Sequence, residues 1–423
     1  MTKLNTLLAL VAIAISPASH SHDLLPGQQA QAQLISNATV HTPEGVLTNT
    51  DVLLQAGKIA AIGTDLAAAN ATVLDASGKH LYPTLIGLDN QIGLTEIGAV
   101  RATVDSREVG LINPQLRAAS AFNIESEVLP TLRANGIGYA QLTPKGGMLA
   151  GQSALVQLDG WNVHDAMVAA DTGVHLYWPD ARLAQGKQRQ EGAEHYARQH
   201  QRIIDAFTDA SHYLQVPRQQ IDTRWQAMAQ LMRGQSSLFV HANQQRQMEH
   251  AIALAQQFKL QLVIVGGFDS YLMTDSLKAA NVAVIYTHGK GLPRHADQPY
   301  DLAFQIPAML ADAGVEFALA FSGSWESRNL AFVAGQAVAF GLDKTAALNA
   351  ISATPAKLLG QPRLGRIEVG APASVILSRG DLFDPSQHGV EQMWLAGKAI
   401  NLDNRHQRLY QKYQQRYQQQ AQQ

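Results

Sequence analysis

The chain has no cysteine among its 423 residues. No disulfide can staple the fold and no thiolate can hold a metal, so a core of sufficient size must supply the stability. The absence fits an oxidising compartment, where a stray thiol is a liability. Charge of one sign is missing too. The 32 basic and 34 acidic residues leave a formal net charge of -2, and no Lys/Arg-rich run departs from that balance. Such a chain has no field with which to gather nucleic acid or anionic lipid. With 46% apolar and only 16% charged residues, a disordered chain is excluded. Beyond the first residues, no apolar run approaches the length of a membrane span.

What is present begins with an address. Lys3 precedes a short apolar run, Leu7 to Ile15, which small and polar residues from Ser16 to His20 then break. Residues 1–22 are therefore expected to be a signal peptide, too short to span a bilayer. The protein is expected to be secreted or periplasmic, without a membrane once cleaved. A Gln-rich polar stretch over 23–33 follows. Short runs come next: Gln33–Val40, a turn at Pro43-Glu44-Gly45, Thr50–Gln55, a hairpin signal at Ala56-Gly57-Lys58, Lys58–Gly63 and Thr72–Lys79. None has helical periodicity, so they predict strands. The same texture returns at Leu364–Gly370, Ala373–Ser378 and Val390–Ile400. Between the two regions, strand-like runs at Ile137–Leu142, Ser237–His241, Gln261–Val265, Val282–Tyr286 and Val315–Ala320 alternate with helical stretches such as Gln244–Phe258 and Tyr271–Ala280. That alternation predicts a parallel sheet. Asp180–Gly234 reads as a polar helical elaboration. The Gln-rich tail (403–423) places Tyr410, Tyr413 and Tyr417 on one helical face.

Three sets of residues carry a resemblance. Pro83-Thr84-Leu85-Ile86-Gly87-Leu88-Asp89-Asn90-Gln91-Ile92-Gly93 stands where the amidohydrolase superfamily has its first barrel strand. Asp75-Ala76-Ser77-Gly78-Lys79 and Gly365–Ser374 stand where that family frames its second domain. The chain resembles imidazolonepropionase-like and dihydroorotase-like members. The resemblance implies an α/β fold: a (β/α)8 TIM-like barrel over 83–362, with a discontinuous β-sandwich from 33–82 and 363–402. It also implies hydrolysis of non-peptide carbon–nitrogen bonds, in which a metal-bound water is the nucleophile.

The same resemblance implies where metal ligands should be, and there the residues differ. Asp89 and Gln91 replace the strand-one histidine pair, and a Gln amide is a poor ligand. His241, in Val240-His241-Ala242-Asn243, keeps the strand-five imidazole. Gly266 stands at the strand-six histidine, and Ser322 at the strand-eight aspartate. Strand four offers no convincing lysine, since Lys187 falls in the polar helical stretch. No metal or other cofactor is assigned on these residues. Asp89 and His241 are the catalytic candidates. The loop Tyr286–Asp297 holds His288, Lys290, Arg294 and His295, and the loop Ser322–Asn329 holds Trp325 and Arg328. Both follow predicted strands, so His288, Lys290, Arg294, Trp325 and Arg328 are candidates to bind a small polar molecule. His241, His288 and His295 are an alternative metal set. Surface pairing of Arg294 and Arg328 with Asp297 and Glu326 is the bland account of the loops. Pro144–Ser153 is a Gly-rich strand-end loop, read as a lid or tight turn. Two readings stay open: a residual or rewired hydrolase, and a catalytically inactive barrel that binds a small molecule or acts as a scaffold. A homo-oligomer is compatible with either.

Overall fold

The computed structural model describes residues 25–29, 31–181, 188–216, 220–294, 296–321 and 323–421. The expected signal peptide, Lys187, His295 and Ser322 lie outside them. Among the described residues no helix is long and apolar enough to cross a membrane.

Eight strands make the central sheet: β1 (Leu85–Asn90), β2 (Ile137–Leu142), β3 (Leu149–Gln157), β4 (Met167–Tyr177), β5 (Ser237–Ala242), β6 (Gln261–Gly266), β7 (Ala283–Tyr286) and β8 (Phe317–Leu319). They lie side by side in chain order. Every residue of β1 and β2 is buried. Burial on both faces is why these strands read as continuous apolar runs rather than alternating ones. No strand pairing joins β8 to β1. The segment at Ala350–Ile351 bridges them instead: Leu319 N donates to Ala350 O at 2.8 Å, and Ile86 N donates to Ile351 O at 2.9 Å. The result is a nearly closed barrel.

The expected uniform β/α alternation needs correcting. β3 runs antiparallel to both β2 and β4, while the other neighbours are parallel. Residues 143–148, which link β2 to β3, are too few for the crossover that parallel neighbours require. Part of the segment expected to be a Gly-rich loop, Leu149 to Ser153, is therefore strand.

A second, nine-stranded sheet is assembled from both ends of the chain. Its seam is the antiparallel pairing of His80–Pro83 with Val375–Ser378, and Ile35, Val52, Leu81, Val375 and Trp394 fill its core. Gln28–Gln29, within the Gln-rich polar stretch, pairs with Lys398–Ala399. The polar elaboration contains a 28-residue helix, Gln188–Gln215. Ile203, Phe207 and Ala210 on that helix are buried against the barrel core. Arg405–Ala421 forms a helix with no buried residue.

Candidate functional site

The C-terminal ends of β1, β2, β4 and β5 bring a line of polar side chains together inside the barrel mouth. Asp89 is 2% exposed and sits at φ +51°, a left-handed conformation that is uncommon for a residue other than glycine. Its backbone N–H donates to Gln141 Oε1 at 3.3 Å. That contact orients the Gln141 amide, whose Nε2 then faces His175 Nε2 at 3.4 Å. His175 Nδ1 lies 2.9 Å from His241 Nε2. An amide nitrogen can only donate, so His175 Nε2 accepts. His175 must then carry its proton on Nδ1 and donate to His241 Nε2, and His241 keeps its own proton on Nδ1.

The surroundings keep both rings neutral. His175 stacks on Phe239 at 4.9 Å, and burial lowers its pKa to about 3. Burial, His175 and the Lys145 cation together hold His241 well below the usual value. Tyr177 stacks on His241 at 3.9 Å and donates its hydroxyl to Pro144 O at 3.0 Å, closing the Lys145 loop over the pair. Burial and the neighbouring Asp89 charge raise the Tyr177 pKa, so the phenol stays protonated. His241, Tyr177 and His288 are only half-buried and open toward the mouth.

His288 reaches the same region from the loop after β7. Its Nε2 pairs with Asn243 Oδ1 at 2.7 Å, and burial with the Arg294 charge lowers its pKa to about 4. Arg294 lies over the Phe268 ring at 5.6 Å, and Lys290 lies 6.0 Å from Phe321 and 5.9 Å from Phe332. Trp325 and Arg328 turn elsewhere. Trp325 stacks on His406 of the tail, and Arg328 Nη1 donates to Trp325 O at 2.6 Å. Among the described residues neither arginine makes the expected pair with Asp297 or Glu326. Asp89, His241, His288 and Arg294 thus come together, whereas Trp325 joins the tail and Arg328 folds back onto Trp325.

These residues do not fit the metal centre that the resemblance implies. Among the described residues no group of three or more His, Asp or Glu stands ready for an ion. The ring nitrogen that His241 would offer is engaged by His175. Gln91 Nε2 is turned back onto Asp89 O at 3.3 Å. Gly266 has φ +104°, and a Cβ there would come within 2.5 Å of Asn243 Oδ1. Asn243, bonded to His288, therefore fills the space where a strand-six ligand would project.

Gln141, His175, Tyr177 and Asn90 escaped the sequence reading. Asn90 Nδ2 donates to Ser327 Oγ at 2.6 Å and ties β1 to the loop after β8. A signal for β4 existed: Gly173-Val174-His175-Leu176-Tyr177 alternates with period two, but Asp171 and Gly173 before it resemble a turn. A cleft of about 840 Å³ opens at the opposite end, where Ser237, Gln261 and Ala283 begin their strands. That face of a barrel carries stability rather than chemistry. Two of its charges, Glu316 and Lys357, pair with each other at 2.6 Å.

No protein-family profile matches the chain, and no curated protein matches it. Solved structures do share its fold. An amidohydrolase from Thermotoga maritima is similar at 22% identity and a TM-score of 0.78, over 87% of this chain and 99% of that one. A prolidase solved with N-methylphosphonate-L-proline is similar at 16% identity and a TM-score of 0.52, over 88% of this chain and 100% of that one. Molinate hydrolase is similar at 15% identity and 0.54, over 89% and 96%. At these identities the likeness is one of fold.

Proposed function

We propose that this amidohydrolase-fold chain is a hydrolase of non-peptide carbon–nitrogen bonds that acts at the barrel mouth with the metal-ligand positions replaced. The observation that carries this reading is the hydrogen-bonded line from Asp89 through Gln141 and His175 to His241. A retired pocket would be expected to fill with apolar side chains, because buried polar groups are costly to keep. Here they are kept and joined. In this reading the His241 Nδ1–H polarises a carbonyl oxygen, and the Asp89 carboxylate takes the proton of the attacking water and passes it to the departing nitrogen as the carbon–nitrogen bond breaks. His288, Lys290 and Arg294 receive the polar end of the molecule. The prolidase neighbour was solved with N-methylphosphonate-L-proline, and a Xaa-Pro dipeptidase neighbour with methionine. Both ligands are small, polar and carboxylate-bearing, which supports the size and character of the molecule proposed here. The signal peptide expected over residues 1–22 is in keeping with an activity outside the cytoplasm.

A second reading, binding without turnover, draws on the mutual engagement of the two imidazoles, which leaves little freedom for proton shuttling. One experiment separates the two. The purified protein is screened by thermal shift and by product analysis against hydantoins, dihydropyrimidines, N-acyl amino acids and small carboxylates. Turnover that survives chelator supports the hydrolase. Stabilisation without product supports the binding protein, and neither result sinks both. Metal analysis of the same preparation is expected to find well below one equivalent of transition metal. Stoichiometric zinc, nickel, manganese or iron would refute the replaced-ligand reading.

The double variant Asp89→His with Gln91→His is expected to gain no metal-dependent turnover, because Gly266 still supplies no ligand. Robust zinc-dependent hydrolysis of a hydantoin by that variant would count against the proposed site.

A further inference from the structure

The tail helix, Arg405–Ala421, is the largest unpartnered element of the described structure. Asn404 caps it, with Oδ1 accepting from His406 N and Gln407 N at 3.0 and 3.1 Å. The first turn is docked: His406 stacks on Trp325, and Arg408 lies 4.0 Å from Glu127 and from Asp403. Among the described residues, no side chain of the helix is buried beyond that turn. Tyr410, Tyr413 and Tyr417 are 68%, 47% and 66% exposed. Their spacing puts them in one stripe, with Leu409 at its edge and Arg405, Lys412 and Arg416 on the flank beside it. The helix contains no acidic residue. A helix of this length is marginal in water on its own, and here no buried side chain supports it.

A surface of opposite character lies at its base. A groove of about 390 Å³ runs between Ile124–Pro130 and Leu158–Trp161. Glu125 and Glu127 stand on it, and Leu25 and Trp161 are 63% and 64% exposed. Of its other charges, Asp159 and Arg133 are buried and paired with each other at 2.6 Å, and Arg408 from the first turn of the helix lines its edge, 4.0 Å from Glu127. Arg408 of the helix reaches its own groove, but the tyrosine stripe does not. The helix leaves the base as one unbroken rod, so Tyr417 is carried roughly 14 Å beyond Arg408 at about 1.5 Å per residue. Two copies of the helix stripe against stripe would set cation against cation, which is disfavoured.

We propose that the tail helix docks on a second copy of this chain, laying its tyrosine stripe and basic flank into the groove at Glu125, Glu127 and Trp161. The exchange is reciprocal and two-fold, so each copy gives a helix and receives one. Aromatic side chains meet exposed Trp161 and Leu25 at the centre, and Lys412 and Arg416 face the glutamates at the rim.

The test uses the full chain in size-exclusion chromatography with light scattering. The wild type is expected to be a dimer. Tyr410→Ser, Tyr413→Ser and Tyr417→Ser together should raise the dissociation constant by at least about tenfold. The thermal midpoint at low concentration should hold, because none of the three side chains is buried. Charge reversal gives the sharper readout. Glu125→Lys with Glu127→Lys makes groove and helix both basic; Lys412→Glu with Arg416→Glu makes both acidic. Each double variant alone should be monomeric, and an equimolar mixture should recover a mixed dimer. A wild type that stays monomeric at high concentration overturns the proposal. So does a dimer indifferent to the tyrosine substitutions, or a mixture that never associates. Loss of co-sedimentation with phosphatidylglycerol vesicles in the tyrosine variant, with a monomeric wild type, would assign the face to lipid instead.

Discussion

Acidification from about pH 7 to about pH 5 is expected to cost the fold about 4 kcal/mol through two histidines alone. His175 and His41 are 0% and 5% exposed, and each has its pKa lowered to about 3. Burial is the cause for His175. For His41 burial comes first, and the nearby His80 and Lys344 add to it against a smaller opposing effect of Asp381. His41 Nε2 meets His80 Nδ1 at 3.0 Å, and its ring stacks on Tyr82 at 3.9 Å. The folded chain keeps both rings neutral down to about pH 3, whereas the unfolded chain protonates them as pH falls through about 6.5. Protons taken up only by the unfolded state pull the equilibrium toward unfolding. The stability is therefore fully present above about pH 6.5 and is lost progressively below it. At about pH 5 the folded values still lie far below the solution pH, so each ring contributes about 2 kcal/mol of loss. Urea unfolding of the wild type and of His41→Gln with His175→Gln, at both pH values, checks this. Titrating groups out of contact with the two histidines cancel in the difference between the two proteins, leaving His241 and His80 as the coupled remainder. An identical pH response in wild type and variant would remove the two histidines from the account.

Much of this architecture was legible because its signals are local. The runs at Ile137–Leu142 and Gln261–Val265 are apolar and bounded by polar residues, and both are strands. The helix expected from Gln244 begins at Gln245, with Gln244 and Gln247 forming the capping box. Of two runs expected as strands of a second sheet, Val375–Ser378 within Ala373–Ser378 pairs with the N-terminal half of that sheet, whereas Leu364–Gly370 is turn and bend rather than strand. The reversal of β3 was not legible. It follows from the short link between β2 and β3, and nothing marked Leu149–Gln157 as a strand beyond Gly-rich residues that suggest a turn. The site was legible where a motif position kept a polar residue, as at Asp89 and His241. It was hidden where the partner comes from a strand with no motif of its own. His175 and Gln141 become meaningful only when the barrel brings β2, β4 and β5 side by side. The loops misled in the other direction. Lys290, Arg294, Trp325 and Arg328 follow strands as expected, but sequence proximity does not decide where long side chains turn. Trp325 turned to the tail, where it stacks on His406, and Arg328 folded back onto the Trp325 carbonyl.

Gly266→His, the substitution that would rebuild the strand-six ligand, is expected to destabilise the protein by about 4 kcal/mol rather than to create a metal centre. Gly266 sits at φ +104°, where a side chain is strained by about 1–2 kcal/mol whatever the space around it. The space is also taken. A Cβ there would come within 2.5 Å of Asn243 Oδ1 and 3.0 Å of Ala242 O. Asn243 would have to swing away and give up its 2.7 Å bond to His288, a further loss of about 1 kcal/mol. Forcing an imidazole into that volume adds about 1–2 kcal/mol of overpacking. Gly266→Ala isolates the backbone strain and the Cβ collision, so it should fall between wild type and Gly266→His. Adding Asn243→Ala to Gly266→His should recover part of the loss, because the two positions compete for one space. Urea unfolding of the four proteins measures this directly. A Gly266→His protein within about 1 kcal/mol of wild type, or one that Asn243→Ala fails to rescue, would show that the strand-six position is free. The expected outcome means that the glycine and the Asn243–His288 pair are one adaptation. Reversal of any single replaced position would then meet a mouth already repacked around its loss.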